Sequence, residues 1–393
     1  MAKVLGRIAT LAITLTSVVT VDAASAQTPG SALYLRQPAS VVAPVSAKTV
    51  AFANRGTAPV HLASCCDQGG CDAGCAAPTC GAPACSTCDS GCAAPGCDSC
   101  SLGCDSCGVG CGNSCGCDSG LSGLLGSLEG IIKPSDNCFN CFLSPMTNPT
   151  FFEDPRTLTE ARLIYLHHKV PLTAGGGDVN LVVVQLRAAL SDRLSIIATK
   201  DGYLTSTNPL IDDGFADINA GLKYNLIRDP RRQLVYSVGA TYELPVGSTR
   251  SLQGNGDGTF HLFGTGGTRI AGWNALLAHG VIIPVDGAAE SEWGYISGHL
   301  SHRIADTNLF FLSEINAYHY WDSGNGGLDG VEGGDLINLG SRNVEDNDIV
   351  TGAFGVKYKP HNGLEVGVAW ENPLTKRRDV LDNRLTVDVI VRY

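Results

Sequence analysis

The sequence predicts an all-β fold: a transmembrane antiparallel up-and-down β-barrel of about 12 strands, preceded by a disordered Cys-rich segment. Three observations predict it. From residue 150 onward, apolar and polar side chains alternate with period two over stretches long enough for a tilted strand to cross a bilayer. All 17 Cys fall between Cys65 and Cys141, so the alternating part carries none. No stretch after the N-terminus approaches the roughly 18 consecutive apolar residues of a spanning helix, so a membrane would be crossed by strands.

Composition narrows the function classes. A net charge of −11, from 27 Lys+Arg against 38 Asp+Glu, argues against nucleic acid as a partner. Only 17% charged residues, 48 Gly and a mean hydropathy of +0.08 fit a cytosolic enzyme poorly.

Residues 1–26 read as a signal peptide. Lys3 and Arg7 form the positive start, Ile8 to Val21 the apolar stretch, and Ala24-Ser25-Ala26 the small-x-small cleavage pattern. The mature chain is then expected to start at Gln27. Leu62-Ala63-Ser64-Cys65 has the form of a lipoprotein box but lacks an apolar run before it. Residues 27–64, rich in Ala, Val, Pro and Ser without periodicity, read as a linker.

Residues 65–117 are a low-complexity repeat of Cys, Gly, Ala, Ser, Asp and Pro with no aromatic residue. Such a stretch cannot bury enough apolar surface to offset its ordering entropy. Cys97, Cys100, Cys104, Cys107 and Cys111 alternate C-x2-C with C-x3-C steps, and Cys138 and Cys141 form a further C-x2-C pair. That spacing suits tetrahedral thiolate sites. No His is interleaved, however, and a secretory signal places the thiols where disulfides are the default. The seven are therefore expected to form disulfides or cross-links to another copy or to the envelope, with a partly oxidised spacer as the other reading. No metal and no cofactor is expected.

Residues 118–149 read as a short amphipathic helix and connector, with Leu121, Leu124, Leu125, Leu128, Ile131 and Ile132 on helical spacing before Pro134. Residues 150–393 read as the barrel. Leu385, Val387, Val389, Val391 and Tyr393 share one face against Thr386, Asp388 and Arg392, with Ile390 the exception. Comparable alternation runs over 217–226, 236–244 and 364–371.

Short connections at Ser191–Arg193, Arg228–Arg232, Ile304–Thr307 and Lys359–Asn362 alternate with longer ones at Asp201–Asp213, Pro245–Asp257, Trp321–Asn347 and Asn372–Asn383. A strand over Gly258–Thr265 turning at Gly266–Gly267 restores parity and brings the count to 12, with 10 as the rival. Both termini then share the short-turn, periplasmic side of an outer-membrane barrel. The terminal strand ending in Tyr393 is expected to engage the barrel-assembly machinery, and the outer wall the lipid bilayer. Trp273, Trp293, Trp321 and Trp370 are expected in aromatic girdles.

If the apolar faces meet lipid, the lumen is lined by Asp217, Asn219, Lys223, Asn225, Ser237, Thr241, Glu243, Glu314, Asn316, Thr351, Lys357, Glu365, Thr386, Asp388 and Arg392. Both signs of charge suit a pore with weak ion preference. Ser297, His299 and Ser301 share a strand face with His302 opposite, and His167 adjoins His168, but no third orienting group for hydrolysis is identifiable. No catalytic residue is assigned, and an enzyme is not expected.

The run Phe151-Phe152-Glu153-Asp154-Pro155-Arg156-Thr157-Leu158-Thr159-Glu160-Ala161-Arg162 leads into the first strand. With Asp217-Ile218-Asn219-Ala220-Gly221-Leu222-Lys223-Tyr224 and Tyr242-Glu243-Leu244-Pro245-Val246-Gly247, it resembles the outer-membrane barrels grouped as putative transporters of the meta-pathway of phenol degradation. The Cys-rich leader resembles the planctomycete-type variant. The resemblance covers roughly residues 148–393 and implies a passive channel or transporter for small solutes. A structural envelope protein, anchored by the barrel and cross-linked through its cysteines, is the alternative.

Overall fold

The structure, a computed structural model, describes residues 131–393. The signal peptide, the linker, the cysteine array and the start of the expected helix lie outside the described residues. Fourteen strand segments form one antiparallel sheet. They are β1 Glu160–Lys169, β2 Asp178–Ala189, β3 Leu194–Lys200, β4 Tyr203–Ser206, β5 Gly214–Phe215, β6 Ile218–Asp229, β7 Leu234–Leu244, β8 Thr259–Ile270, β9 Trp273–Pro284, β10 Glu292–Arg303, β11 Leu309–Asp322, β12 Asp348–His361, β13 Leu364–Pro373 and β14 Asn383–Arg392.

β3 and β4 both pair with β2 and make one interrupted stave; β5 and β6 make another opposite it. Gly202 sits in the first interruption at φ +125°, where a Cβ would stand 2.2 Å from the Val182 carbonyl oxygen, so only glycine fits. Counted this way the sheet has 12 staves. It closes because β1 pairs with both neighbours, Glu160 opposite Arg187 on β2 and Arg392 on β14. Closure leaves no sheet edge, the condition for a β-structure in hydrocarbon.

Period-two alternation carries through to burial. On β14, Arg384, Thr386, Asp388, Ile390 and Arg392 point inward, while Leu385, Val387, Val389 and Val391 point out. Ile390, the sequence exception, is a fully buried apolar residue inside. The outer wall is an apolar belt in which Leu163, Leu186, Leu222, Leu277, Leu300, Phe354 and Trp370 are all exposed. A water-soluble protein would cover such a surface; an outer-membrane-type barrel presents it to lipid.

Two expectations are corrected. β8 does not turn at Gly266–Gly267 but runs to Ile270, with Thr268 opposite Ala275. The turn falls at Ala271 and Gly272, whose φ values of 50° and 86° suit a two-residue hairpin loop. The aromatic girdle also loses Trp293. It falls on the inward parity of β10 and is 2% exposed, beside inward Tyr295. Trp273 and Trp370 do face outward, near opposite ends of their strands.

Candidate functional site

All fifteen residues expected to line the lumen, among them Asp217, Asn219, Lys223, Asn225, Thr241, Glu243, Glu314, Asn316, Lys357, Glu365, Asp388 and Arg392, are buried on the inner side. They do not face an open pore. Residues 133–159 enter from the short-turn end, where Lys133 bridges to Ala189, and occupy the lumen before the chain joins β1. This plug is the feature that sequence reasoning missed. It has neither the period of a strand nor that of a helix, and its polar groups find partners on the wall.

The partners are specific. Glu153 accepts from Arg187 at 2.5 Å and Lys223 at 2.7 Å, and Lys223 also donates to the Asp154 carbonyl. Arg187 reaches Glu160 at 3.0 Å as well. Glu314 accepts from the backbone N–H groups of Met146 and Thr147 at 2.8 and 2.6 Å. Ser144 is gripped on three sides: its N–H donates to Glu365, its hydroxyl accepts from Arg392, and its carbonyl accepts from Lys357. Arg162 donates to the Pro145 carbonyl at 2.7 Å, and Asn316 to the Thr147 hydroxyl at 2.9 Å. Asp388 pairs with Lys357 and Arg162, both at 2.9 Å.

An aromatic cluster adds packing to these polar contacts. The Phe151 ring lies 5.0 Å from Trp293 and from His261, both edge-on, and the Tyr295 hydroxyl donates to the Phe151 carbonyl. Near the short-turn end Asp136 accepts from Arg228 at 2.7 Å. Cys138 and Cys141 are disulfide-bonded. The other five named cysteines lie outside the described residues.

The remaining candidates serve other contacts. Asp217 accepts from the N–H groups of Gly247 and Gly254, holding the loop after β7. Glu243 pairs with Lys200 at 2.7 Å, and Thr241 lies 3.4 Å from His261. Both side-chain polar atoms of Asn219 are buried without a hydrogen-bond partner. His299, weighed as a base, has its Nδ1 2.7 Å from Glu314. That supplies the orienting carboxylate the sequence did not reveal. The nucleophile is missing from the arrangement: Ser297 accepts from Asn148, while His299 Nε2 and the Ser301 hydroxyl have no partner.

The long-loop end is closed as well. The loop after β11 places Leu336, Ile337 and Leu339 against inward Leu166, Val179, Val183 and Leu204. Asp335 pairs with Arg384, which also holds Glu371. Glu332 organises this loop, accepting from the Ser291 hydroxyl and the Gly333, Leu339 and Ser341 N–H groups. Burial raises its pKa. Burial, then the nearby Glu243 carboxylate, pushes Glu290 up to about 8, and burial pushes Asp379 up to about 7. Two cavities at this end measure about 20 and 30 Å³, room for one or two water molecules each.

No protein family matches the chain, and no curated protein does. Several solved structures are similar to the chain over part of its length. An outer membrane channel from Pseudomonas putida F1 is 11% identical, with 64% of this chain and 100% of that one covered and a TM-score of 0.47. The KdgM porin in complex with disordered oligogalacturonate is 9% identical, covering 59% and 99%, with a TM-score of 0.36. LpxR from Salmonella typhimurium is 9% identical, covering 60% and 100%, with a TM-score of 0.37. At these identities the likeness assigns neither solute nor reaction.

Proposed function

We propose that the chain is an outer-membrane channel for small solutes, held closed by its own residues 133–159, with its N-terminal extension on the periplasmic side. The observation that carries this reading is how the lumen is filled. Eight strands enclose a space that wall side chains can fill alone, whereas sixteen leave an aqueous passage. A barrel of 12 needs a filler, and here the filler is held by hydrogen bonds and ion pairs that water can replace. When the plug leaves, Lys223, Glu314, Asn316, Lys357, Glu365, Asp388 and Arg392 become pore lining of mixed sign. The resemblance of residues 151–162 and 217–224 to the putative meta-pathway transporters supports the same reading.

Conductance in planar bilayers tests it. The full chain should be mostly silent, and a variant lacking residues 133–158 should conduct steadily. Heat-modifiable mobility on a gel checks that the shortened barrel still folds. A folded but silent shortened barrel would remove the channel reading. The second reading, a structural envelope anchor cross-linked through the cysteines of its N-terminal extension, is favoured by the filled lumen. It expects multimers that disappear on reduction.

A further inference from the structure

A groove of about 610 Å³ crosses the outer wall from β6 to β11, close to the short turns. Its floor consists of Gly266 and Gly298, which lie in one register row with Leu277 between them and Ile315 beyond. A Cβ on Gly298 would meet one side chain, Ile315 at 3.3 Å, and one on Gly266 would meet the Tyr236 ring at 3.0 Å, so the floor is open at Gly298 and flanked by side chains that must give slightly on either side. The walls are exposed apolar side chains, among them Ile227, Leu234 and Leu300.

The rim is charged. Immediately beyond Ile227 and Leu234, the β6–β7 turn carries Arg231 and Arg232, both exposed. Among the short turns of the described residues, this is the tip with two arginines. Arg193 reaches the same corner, donating to the carbonyls of Asn225 and Leu226 at 3.0 and 3.1 Å. The neighbouring acids are Asp229, 3.7 Å from Arg232, Asp192, 3.6 Å from Lys133, and Asp136, 2.7 Å from Arg228; against Lys133, Arg193, Arg228, Arg231 and Arg232 they leave the corner cationic. Further along the rim, the Trp273 and His302 rings lie 4.8 Å apart on the outer face, an amphipathic pair suited to the headgroup level.

We propose that this groove seats an acyl chain of one phospholipid with an anionic head group, its phosphate lying against Arg231 and Arg232. The inference rests on the reading of a membrane-embedded barrel with its short turns toward one leaflet. An acyl chain lying over the glycine floor recovers dispersion contacts that a flat wall of larger side chains would already have made. The guanidinium fork matches phosphate oxygens in a way that a zwitterionic head group, with its own cation, opposes. A second copy fits less well, because a two-fold contact across the groove would bring two arginine tips to one rim.

The test uses the full chain in detergent, titrated with phosphatidylglycerol or phosphatidylcholine of identical acyl chains and read by native mass spectrometry. One phosphatidylglycerol should stay bound under conditions that strip phosphatidylcholine. Arg231→Ser with Arg232→Ser should weaken phosphatidylglycerol binding by about thirtyfold and leave phosphatidylcholine unchanged. Gly298→Leu, which fills the floor, should weaken both. Heat-modifiable mobility confirms that each variant is folded. Equal retention of the two lipids, indifferent to the arginines, overturns the proposal. So do dimers that Gly298→Leu abolishes, since the groove would then belong to a second copy. Failure of the membrane reading itself would show separately, as protein recovered without detergent.

Discussion

Replacing Glu153 by Gln should open the barrel. Glu153 is buried in the plug and holds Arg187 through charged hydrogen bonds of 2.5 and 2.9 Å and Lys223 through one of 2.7 Å. In Glu153→Gln the two cations stay buried while the plug is in place, and they are hydrated once it leaves. The substitution therefore acts on the closed state. Removing one partner of a buried pair costs about 3–5 kcal/mol. Arg187 keeps Glu160 at 3.0 Å and Lys223 keeps the Asp154 carbonyl, so the lower end applies, about 3 kcal/mol. That shifts the closed-to-open ratio by about a hundredfold. Single-channel recording should show a large rise in open probability with the same open conductance as the barrel lacking residues 133–158. A Glu153→Gln channel as silent as wild type, alongside a conducting deletion, would refute the claim that these ion pairs hold the plug.

Phe151→Ala should also loosen the plug, losing the contacts of its ring with Trp293 and His261 at a cost of about 3 kcal/mol; protease cutting between residues 133 and 158 should accelerate without barrel unfolding. Leu222→Arg places a cation on the lipid face, where Leu222 is exposed beside Ile196 and Ala240, and should cost about 2–4 kcal/mol of stability in refolding into vesicles. An unchanged refolding midpoint would argue against the lipid-facing assignment. The long-loop cap should loosen as pH rises. Glu290 titrates near 8 in the fold against 4.5 unfolded, and Asp379 near 7 against 3.8. The native state thus holds the extra protons, so cap stability is greatest below about 4 and declines as pH climbs to about 8. Hydrogen exchange in residues 285–291 and 323–347 should quicken over that window, less so in Glu290→Gln; a flat or opposite trend would count against the buried carboxyls.

Alternation made the strands legible because it is local. Whether Asp388 and Arg392 face away from Val387 and Val391 depends only on the pleat, and residues two apart share a side whatever the rest of the chain does. Trp293 shows the limit of that reasoning. Its position near a strand start suggested a membrane interface, but its parity with Tyr295 sent it inward, where Phe151 of the plug receives it. The early turn at Gly266–Gly267 failed for a related reason. Glycine permits a turn without requiring one, and here Gly266 lies in a continuous strand opposite Tyr236 and Leu277.

The sequence by itself determined the class of fold, a count of 12 staves with 10 as the rival, and which polar residues share a face of a strand. A twofold repeat, alternating loop lengths and an even strand count are properties of neighbours along the chain. Only the tertiary structure decided what those polar residues touch. Ser144 and Glu365 lie 221 positions apart, and Met146 and Glu314 168 apart. Such pairings follow from where an irregular segment settles in a closed barrel, and an irregular segment carries no period to announce it. Lys223, Glu314, Asn316, Lys357, Glu365 and Arg392, read as the lining of a pore, are the grip on the segment that fills it.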